Sequence, residues 1–268
     1  LTKYHLFTDA AGYDVLGAYA GLVYALPVIG GLLADRYLGM SKAVVFGALL
    51  LSCGHLLMAY EGQQAVHYAA GTLLETDVTL NNGTVLTAGT LIHNPIIVQD
   101  VVALKVFFAA LALIAVGVGF LKPNISTIVG QLYPDGDPRR DAGFTIFYMG
   151  INLGAFLAPI TVGVLGETVN WHYGFILAGC GMLVGLTLQL TLAKKYLGDI
   201  GVQPSAQRSK GEQQAHAPLT SDDKDRMKVI LIMSVFSVIF WAGFEQAGGL
   251  FNIYASQFTD RNLMGFEV

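Results

Sequence analysis

Val106-Phe107-Phe108-Ala109-Ala110-Leu111-Ala112-Leu113-Ile114-Ala115-Val116-Gly117-Val118-Gly119-Phe120-Leu121 carries no polar side chain, and it then meets Lys122-Pro123-Asn124. With the residues before it, this run makes a candidate span at 101–122. Crossing a bilayer takes about 20 helical residues. Five stretches of the same character lie at 14–34, 41–60, 143–166, 173–196 and 228–257. None has the polar stripe of a helix that floats on a soluble core. The reading is an all-α polytopic membrane protein with six spans.

Composition points the same way. Hydrophobic residues make up 54% of the 268 and charged residues 13%, against roughly a quarter charged in a soluble domain. A water-soluble protein of this size must cover its outside with polar groups, so this outside is expected to face lipid. Glycine recurs inside the spans, at Gly117, Gly119, Gly150, Gly154, Gly179, Gly181 and Gly185, where small residues let helices approach closely. Cys53 and Cys180 fall in apolar runs and read as small buried thiols rather than a disulfide. No signal peptide is visible, and the absent start methionine suggests a fragment.

Basic residues set an expected orientation. Arg36 and Lys42, then Arg139 and Arg140, then Lys194, Lys195, Arg208, Lys210, Lys224, Arg226 and Lys228 fall on one side. The opposite side is mainly acidic, with Asp9, Asp14, Glu61, Glu75, Asp77, Asp100 and Glu167. The positive-inside rule places the loops at Arg36 and Arg139 and the stretch 197–226 in the cytoplasm, in a multi-pass protein of the plasma (inner) membrane. The first span then runs inward, so at least one more helix is expected before it. Residues 61–100 lie outside; Thr72–Leu80 and Thr84–Ile92 alternate around Asn81-Asn82-Gly83, a hairpin signal. Residues 197–226 are polar and read as a linker. It divides a helical bundle at 1–196 from the first helix of a second bundle at 227–268.

Four segments carry chemistry. Gly30-Gly31-Leu32-Leu33-Ala34-Asp35-Arg36-Tyr37-Leu38-Gly39 ends a span in small residues, an acid, a base and a glycine able to turn tightly. Taken alone it is a charged helix end. As a hinge, Asp35 would cap the next helix or pair with a neighbouring base, and Asp35 and Arg36 would latch one conformation. Lys122 sits within apolar sequence, where a cation costs several kcal/mol unless it snorkels or meets water; Pro123 removes a backbone donor and loosens the turn. Snorkelling is the plain reading, and an inward-facing cation that binds a substrate carboxylate is the functional one.

Asn152 lies between Gly150 and Gly154, as interhelical glue or as a partner for a peptide-like amide. Glu245 stands in Phe240-Trp241-Ala242-Gly243-Phe244-Glu245-Gln246. It is either a locked structural carboxyl or a group that takes up a proton and releases it when a cation approaches. Tyr24 offers a ring and a hydroxyl. His55 reads as a hydrogen-bonded packing residue, and Tyr148, Trp241 and Phe244 read as packing.

Taken in order, Ala34-Asp35-Arg36, Leu121-Lys122-Pro123-Asn124, Phe147-Tyr148 with Ile151-Asn152-Leu153-Gly154, and Phe240-Trp241 with Phe244-Glu245-Gln246 resemble the proton-dependent oligopeptide transporter (POT/PTR) family of the major facilitator superfamily. The resemblance spans nearly the whole chain. It implies a fold of about twelve helices, of which these six would be helices two to seven. It also implies import of di- and tripeptides with protons. By that resemblance Tyr24, Lys122 and Asn152 would contact substrate, Lys122 and Glu245 would couple protons, and Asp35 and Arg36 would form the gating loop.

The family's Glu-x-x-Glu-Arg motif on helix one is absent, as are helices eight to twelve. The linker has no room for the extra helix pair of many bacterial members, and 61–100 looks like an insertion. The expected partners are small peptides, protons and lipid. The chain is read as a monomer and a non-enzyme that takes no metal, nucleic acid or cofactor besides the proton. It has no His-Glu-x-x-His pair, no serine–histidine arrangement in its spans and no phosphate-cradling loop. The rival readings are a carrier of nitrate or another small anion, and a non-transporting peptide sensor on the same fold.

Overall fold

The computed structural model describes residues 1–134, 136–204 and 220–260, with two short stretches at 262–263 and 266–267. The chain forms two compact units, 1–212 and 213–268. Among the described residues, six helices are long and apolar enough to cross a membrane: Asp9–Leu38, Met40–Met58, Val101–Gln131, Arg139–Thr168, Trp171–Leu197 and Ser221–Ala247. The first unit holds α1 (Asp9–Leu33), α2 (Met40–Met58), α3 (Val101–Gln131), α4 (Arg139–Ala158), the short α5 (Val164–Thr168) and α6 (Trp171–Leu197). The second holds α7 (Ser221–Phe244) and α8 (Leu250–Phe258). The polar linker was expected to run through 226. Instead α7 starts at Ser221, because Thr220 and Asp223 form a capping box: the Asp223 N–H donates to Thr220 Oγ1 (3.2 Å) and the Thr220 N–H to Asp223 Oδ2 (3.0 Å). Part of the expected linker, with Arg208 and Lys210, lies outside the described residues.

The first unit is organised around α3, which packs on α1 and α2, while α2 also packs on α6. The α2–α3 contact is a seam with two matching stripes. Met40, Val44, Gly47, Leu51, Gly54 and Met58 are buried on α2. Ala110, Ile114, Gly117, Leu121, Asn124 and Ile128 face them on α3, and all of these but half-buried Leu121 are buried. Both stripes advance by alternate steps of four and three residues, the spacing of a left-handed helix pair. A Cβ on Gly47 would meet Gly117 O at 2.6 Å, and one on Gly54 would meet Ile114 Cγ1 at 2.6 Å. Lipid gives little hydrophobic drive for such contact, so dispersion across close backbones holds the seam.

Pro123 does not end α3, which continues to Gln131. The proline has no N–H for the carbonyl of Gly119 one turn back. That carbonyl oxygen is the atom nearest to where a Cβ on Gly30 would stand, at 2.2 Å. The freed carbonyl therefore packs against the bare backbone of α1, where a Cα–H contact is available to it. Side chains satisfy the same turn: Asn124 Nδ2 donates to Phe120 O (2.7 Å), and Ser126 Oγ (3.0 Å) and Thr127 Oγ1 (2.9 Å) donate to Pro123 O.

Not all the span glycines serve packing. Gly117, Gly119 and Gly179 lie against a neighbouring helix, whereas a Cβ on Gly150, Gly154, Gly181 or Gly185 would meet nothing within 4 Å among the described residues. The two cysteines are free thiols and exposed, not buried, since both sit on faces of α2 and α6 that are turned away from their packing seams.

Residues 61–100 form the expected hairpin, longer than the alternation alone suggested. Strand β1 (Val66–Tyr68) pairs with β4 (Ile96–Val98), and β2 (Val78–Thr79) pairs with β3 (Val85–Leu86). Leu73 bridges Leu91 between them. Every pair is equidistant from Asn82, so one register runs from end to end. The turn is a three-residue loop closed by Leu80 N–H to Thr84 O and Gly83 N–H to Leu80 O (both 2.8 Å), with Gly83 at φ +85°. Leu74, Val78 and Ile92 are buried beneath it with Tyr68, Leu86, Ile96 and Val98 around them. This small core lies outside the membrane-spanning helices, and in water burying each such side chain contributes about 1.5–3 kcal/mol.

At the opposite end of the helices, Ala34–Leu38 is a π turn, closed when the Gly39 N–H donates to Ala34 O (2.8 Å). Gly39 sits at φ +81°, and its missing Cβ leaves room for Val202 O. The chain after α6 returns here: the Ser41 N–H donates to Gly201 O (2.8 Å), and Ile200 packs beside Met40, Val44 and Ile128.

Candidate functional site

The structure brings two of the expected residues together. Tyr24 on α1 lies beside Lys122 on α3, with the ammonium 4.8 Å from the ring centroid. The α1–α3 contact at Gly30 and Gly119 sets this distance, since it draws the two helices to backbone contact one to two turns away. An exposed cation–π pair of this kind contributes about 0.5–1 kcal/mol, and more when desolvated. Neither partner is buried: the Tyr24 side is 57% exposed and Lys122 is also exposed. The buried polar residue of Leu121-Lys122-Pro123-Asn124 is Asn124, 3% exposed in the α2–α3 seam. Lys122 thus presents a cation on the open face of α3 at the depth of an apolar span. There an anionic ligand could replace the ring as its partner.

Asn152 lies exposed on α4, and its Nδ2 donates to Tyr148 O in the same helix (2.9 Å). Its carbonyl oxygen and second amide hydrogen remain for a ligand. Past it the helix loosens at the π turn Pro159–Gly163. Arg36 covers the ring of Tyr37 at 5.5 Å. The N-cap of α2 is Gly39, which has no side chain to cap the first turn, and the Ser41 N–H there donates to Gly201 O. Glu245 belongs to the second unit. It opens a 3-10 turn, Glu245–Gly248, that separates α7 from α8. Its side chain is exposed rather than buried in its own unit. Before it, Phe240 stacks on Phe244 (5.9 Å), and Trp241 meets Phe244 edge-on (5.2 Å). His55 lies with Nδ1 2.9 Å from Leu51 O, a bond within its helix.

Outside the membrane helices, Asp137 at the foot of α4 pairs with Arg139 through a bidentate contact (2.7 Å at the shorter arm). That guanidinium holds the carboxyl down at about 2. The hydrogen-bond donors around the N-cap Asp100 of α3, foremost the amides of Ala103 and Gln63, keep its carboxyl below the usual range. Among the described residues, no group of three or more His, Cys, Asp or Glu could hold a metal ion.

The sequence profile of the POT family matches residues 41–206, more than half of the chain. The chain belongs to the POT family. It is similar to the peptide transporter YePEPT of Yersinia enterocolitica subsp. palearctica serotype O:3 (strain YE-P4). The two are 29% identical over an alignment covering 95% of this chain and 53% of that protein. It is 35% identical to a di-/tripeptide transporter of Lactococcus lactis subsp. lactis (strain IL1403), over 73% of this chain and 31% of that one. Among solved structures, the crystal structure of a peptide transporter POT in complex with sulfate superposes with a TM-score of 0.55 and 37% identity, over 87% of this chain and 36% of that chain. The POT-family chain described here thus spans about half or less of the length of the relatives it matches. Its helices have the arrangement of the matched part of a POT transporter, an all-α polytopic fold.

Proposed function

We propose that this POT-family chain forms part of a proton-coupled symporter that imports di- and tripeptides by alternating access. The observation that carries the reading is the Lys122 ammonium held over the Tyr24 ring on an open face of apolar α3. The printed names of its relatives support peptides as the substrate class. In the mechanism, the peptide carboxylate takes the place of the ring at Lys122, and amide groups of the peptide meet Asn152 and the Tyr24 hydroxyl. A proton on Glu245 breaks its pairing with a cation and lets two bundles rock about a midplane site. Residues 1–196 form the first bundle, α7 from Ser221 starts the second, and the polar stretch between them is the linker. Asp35 and Arg36 latch the cytoplasmic loop. The protein works as a monomer in the plasma membrane, with the loops at Arg36 and Arg139 inside, and needs no cofactor besides the proton.

The test is Lys122→Ala in the full-length protein. A charge-assisted contact contributes about 1.5–3 kcal/mol, so affinity for free peptides should fall roughly tenfold to a hundredfold. Affinity for peptides with an amidated C-terminus should change little. Equal losses for both would remove carboxylate recognition from Lys122. Competition of labelled dipeptide uptake by unlabelled dipeptide, and not by nitrate, separates this reading from a small-anion carrier.

A further inference from the structure

Residues 1–8 lie as a strap across the hairpin end of the first unit. The Ala65 N–H donates to Tyr4 O (3.0 Å), the Tyr4 hydroxyl donates to Glu61 O, and Gln99 Nε2 donates to His5 O (2.6 Å). Lys3 pairs with Glu167 at 3.2 Å on the exposed side. Beneath the strap is a cavity of about 340 Å³, walled by Leu57, Met58, Val106, Phe107, Trp171 and Phe175. His5 and His172 also line it.

The two imidazoles flank one ring. His5 meets the Tyr4 ring edge-on at 5.1 Å, and His172 meets it at 5.3 Å from another side. His5 is only 8% exposed and is further enclosed by Phe107 at 5.3 Å. The Nδ1 atoms of both histidines are buried without a hydrogen-bond partner. A buried ring nitrogen without a partner is costly, and one that becomes charged is costlier still.

We propose that His5, with His172 across the Tyr4 ring, is a proton-binding site separate from the peptide site, and that its protonation releases the 1–8 strap. Few groups nearby can compensate a charge on His5. The strap itself brings the cationic Lys3. From the neighbouring elements come Tyr4's partner loop with Glu61, the α3 cap Asp100, the α5 acid Glu167 and His172 at the start of α6. Asp100 is already committed to the amides of Gln63, Val102 and Ala103, and Glu167 to Lys3. Burial pushes the proton affinity of His5 down, and His172 repels a second charge, while Asp100 opposes both only in part. The closed strap therefore binds fewer protons than the open one. Its stability is present above the ordinary histidine value near 6.5 and is lost as pH falls through the lower value of the closed state.

Hydrogen exchange at the Ala65 amide reads the strap directly, corrected for the intrinsic pH dependence of exchange. Between pH 7.5 and pH 5, where most carboxylates stay ionised, protection in the otherwise unaltered protein should fall several-fold. For His5 the ceiling is about thirtyfold at pH 5, if the closed state stays neutral there. His5→Gln combined with His172→Gln should make protection independent of pH, while His67→Gln, on the exposed strand β1, should keep the normal fall. Protection that does not change with pH in the protein with all its histidines overturns the proposal. So does a fall that survives the double substitution, or one that His67→Gln removes. None of these readouts depends on peptide transport.

Discussion

Glu245→Gln in the full-length protein is expected to reduce uptake driven by a pH gradient to the level of protein-free vesicles, while peptide exchange persists. Glutamine keeps the size of the side chain and its capacity to hydrogen-bond, but it cannot carry a proton through a cycle. The location makes the carboxyl suitable for that task. It opens the 3-10 turn between α7 and α8, at the end of a helix none of whose described residues is buried within its own unit. A change of charge there acts where the backbone already departs from α geometry, and the aromatic stack of Phe240, Trp241 and Phe244 precedes it without adding a charge. Liposome uptake under an imposed gradient, beside counterflow with peptide on both sides, measures the two quantities separately. Gradient-driven uptake equal to that of the unsubstituted protein would remove Glu245 from coupling. Loss of both activities would assign it a structural role instead.

Gly30→Val is expected to have the largest effect on stability. Its Cβ would stand 2.2 Å from Gly119 O and 2.6 Å from Gly119 C. Both atoms are backbone, so no side-chain rotation relieves the overlap, and α1 must move away from α3. Overpacking of this kind costs on the order of 3 kcal/mol. It should appear as a lower Tm and as weakened binding that depends on Tyr24 and Lys122, because the same helix contact positions that pair. Gly21→Ala, on the same helix with nothing within 4 Å of the added methyl, is the matched control. It should raise helix stability by up to about 1 kcal/mol. A Tm for Gly30→Val equal to that of Gly21→Ala would show that the close approach is not what joins these helices.

The spans were legible because their cause is local. Length and continuous apolarity set each helix, and every expected span overlaps one observed. The hairpin was legible for a similar reason: alternation on both sides of Asn81-Asn82-Gly83 leaves one register, and Asn82 is its centre. The partners of the helices were not legible. The seam stripes on α2 and α3 repeat by four and three residues, but the faces around them are apolar too, so hydrophobicity could not mark which face would be covered. Glycine was an equally poor guide, since Gly117 and Gly150 look alike in sequence and only one meets a neighbour. His5 carried no motif at all, and its interest arises only from the Tyr4 ring and the cavity beside it.

The cation at Lys122 shows both sides of this division. Sequence alone determined that a lysine follows a long apolar run and precedes a proline, which already made it costly and worth a role. It also determined the loop acids and bases and the position of Glu245 within its span. Only the tertiary structure decided that Asn124, not Lys122, enters the seam, and that the carbonyl freed by Pro123 packs against Gly30. The same contact sets the Tyr24 ring 4.8 Å from the ammonium. The reason is physical. Transfer into lipid depends on what a segment is made of, whereas packing between helices depends on which backbones can touch, and an almost uniformly apolar sequence does not encode that difference in hydrophobicity.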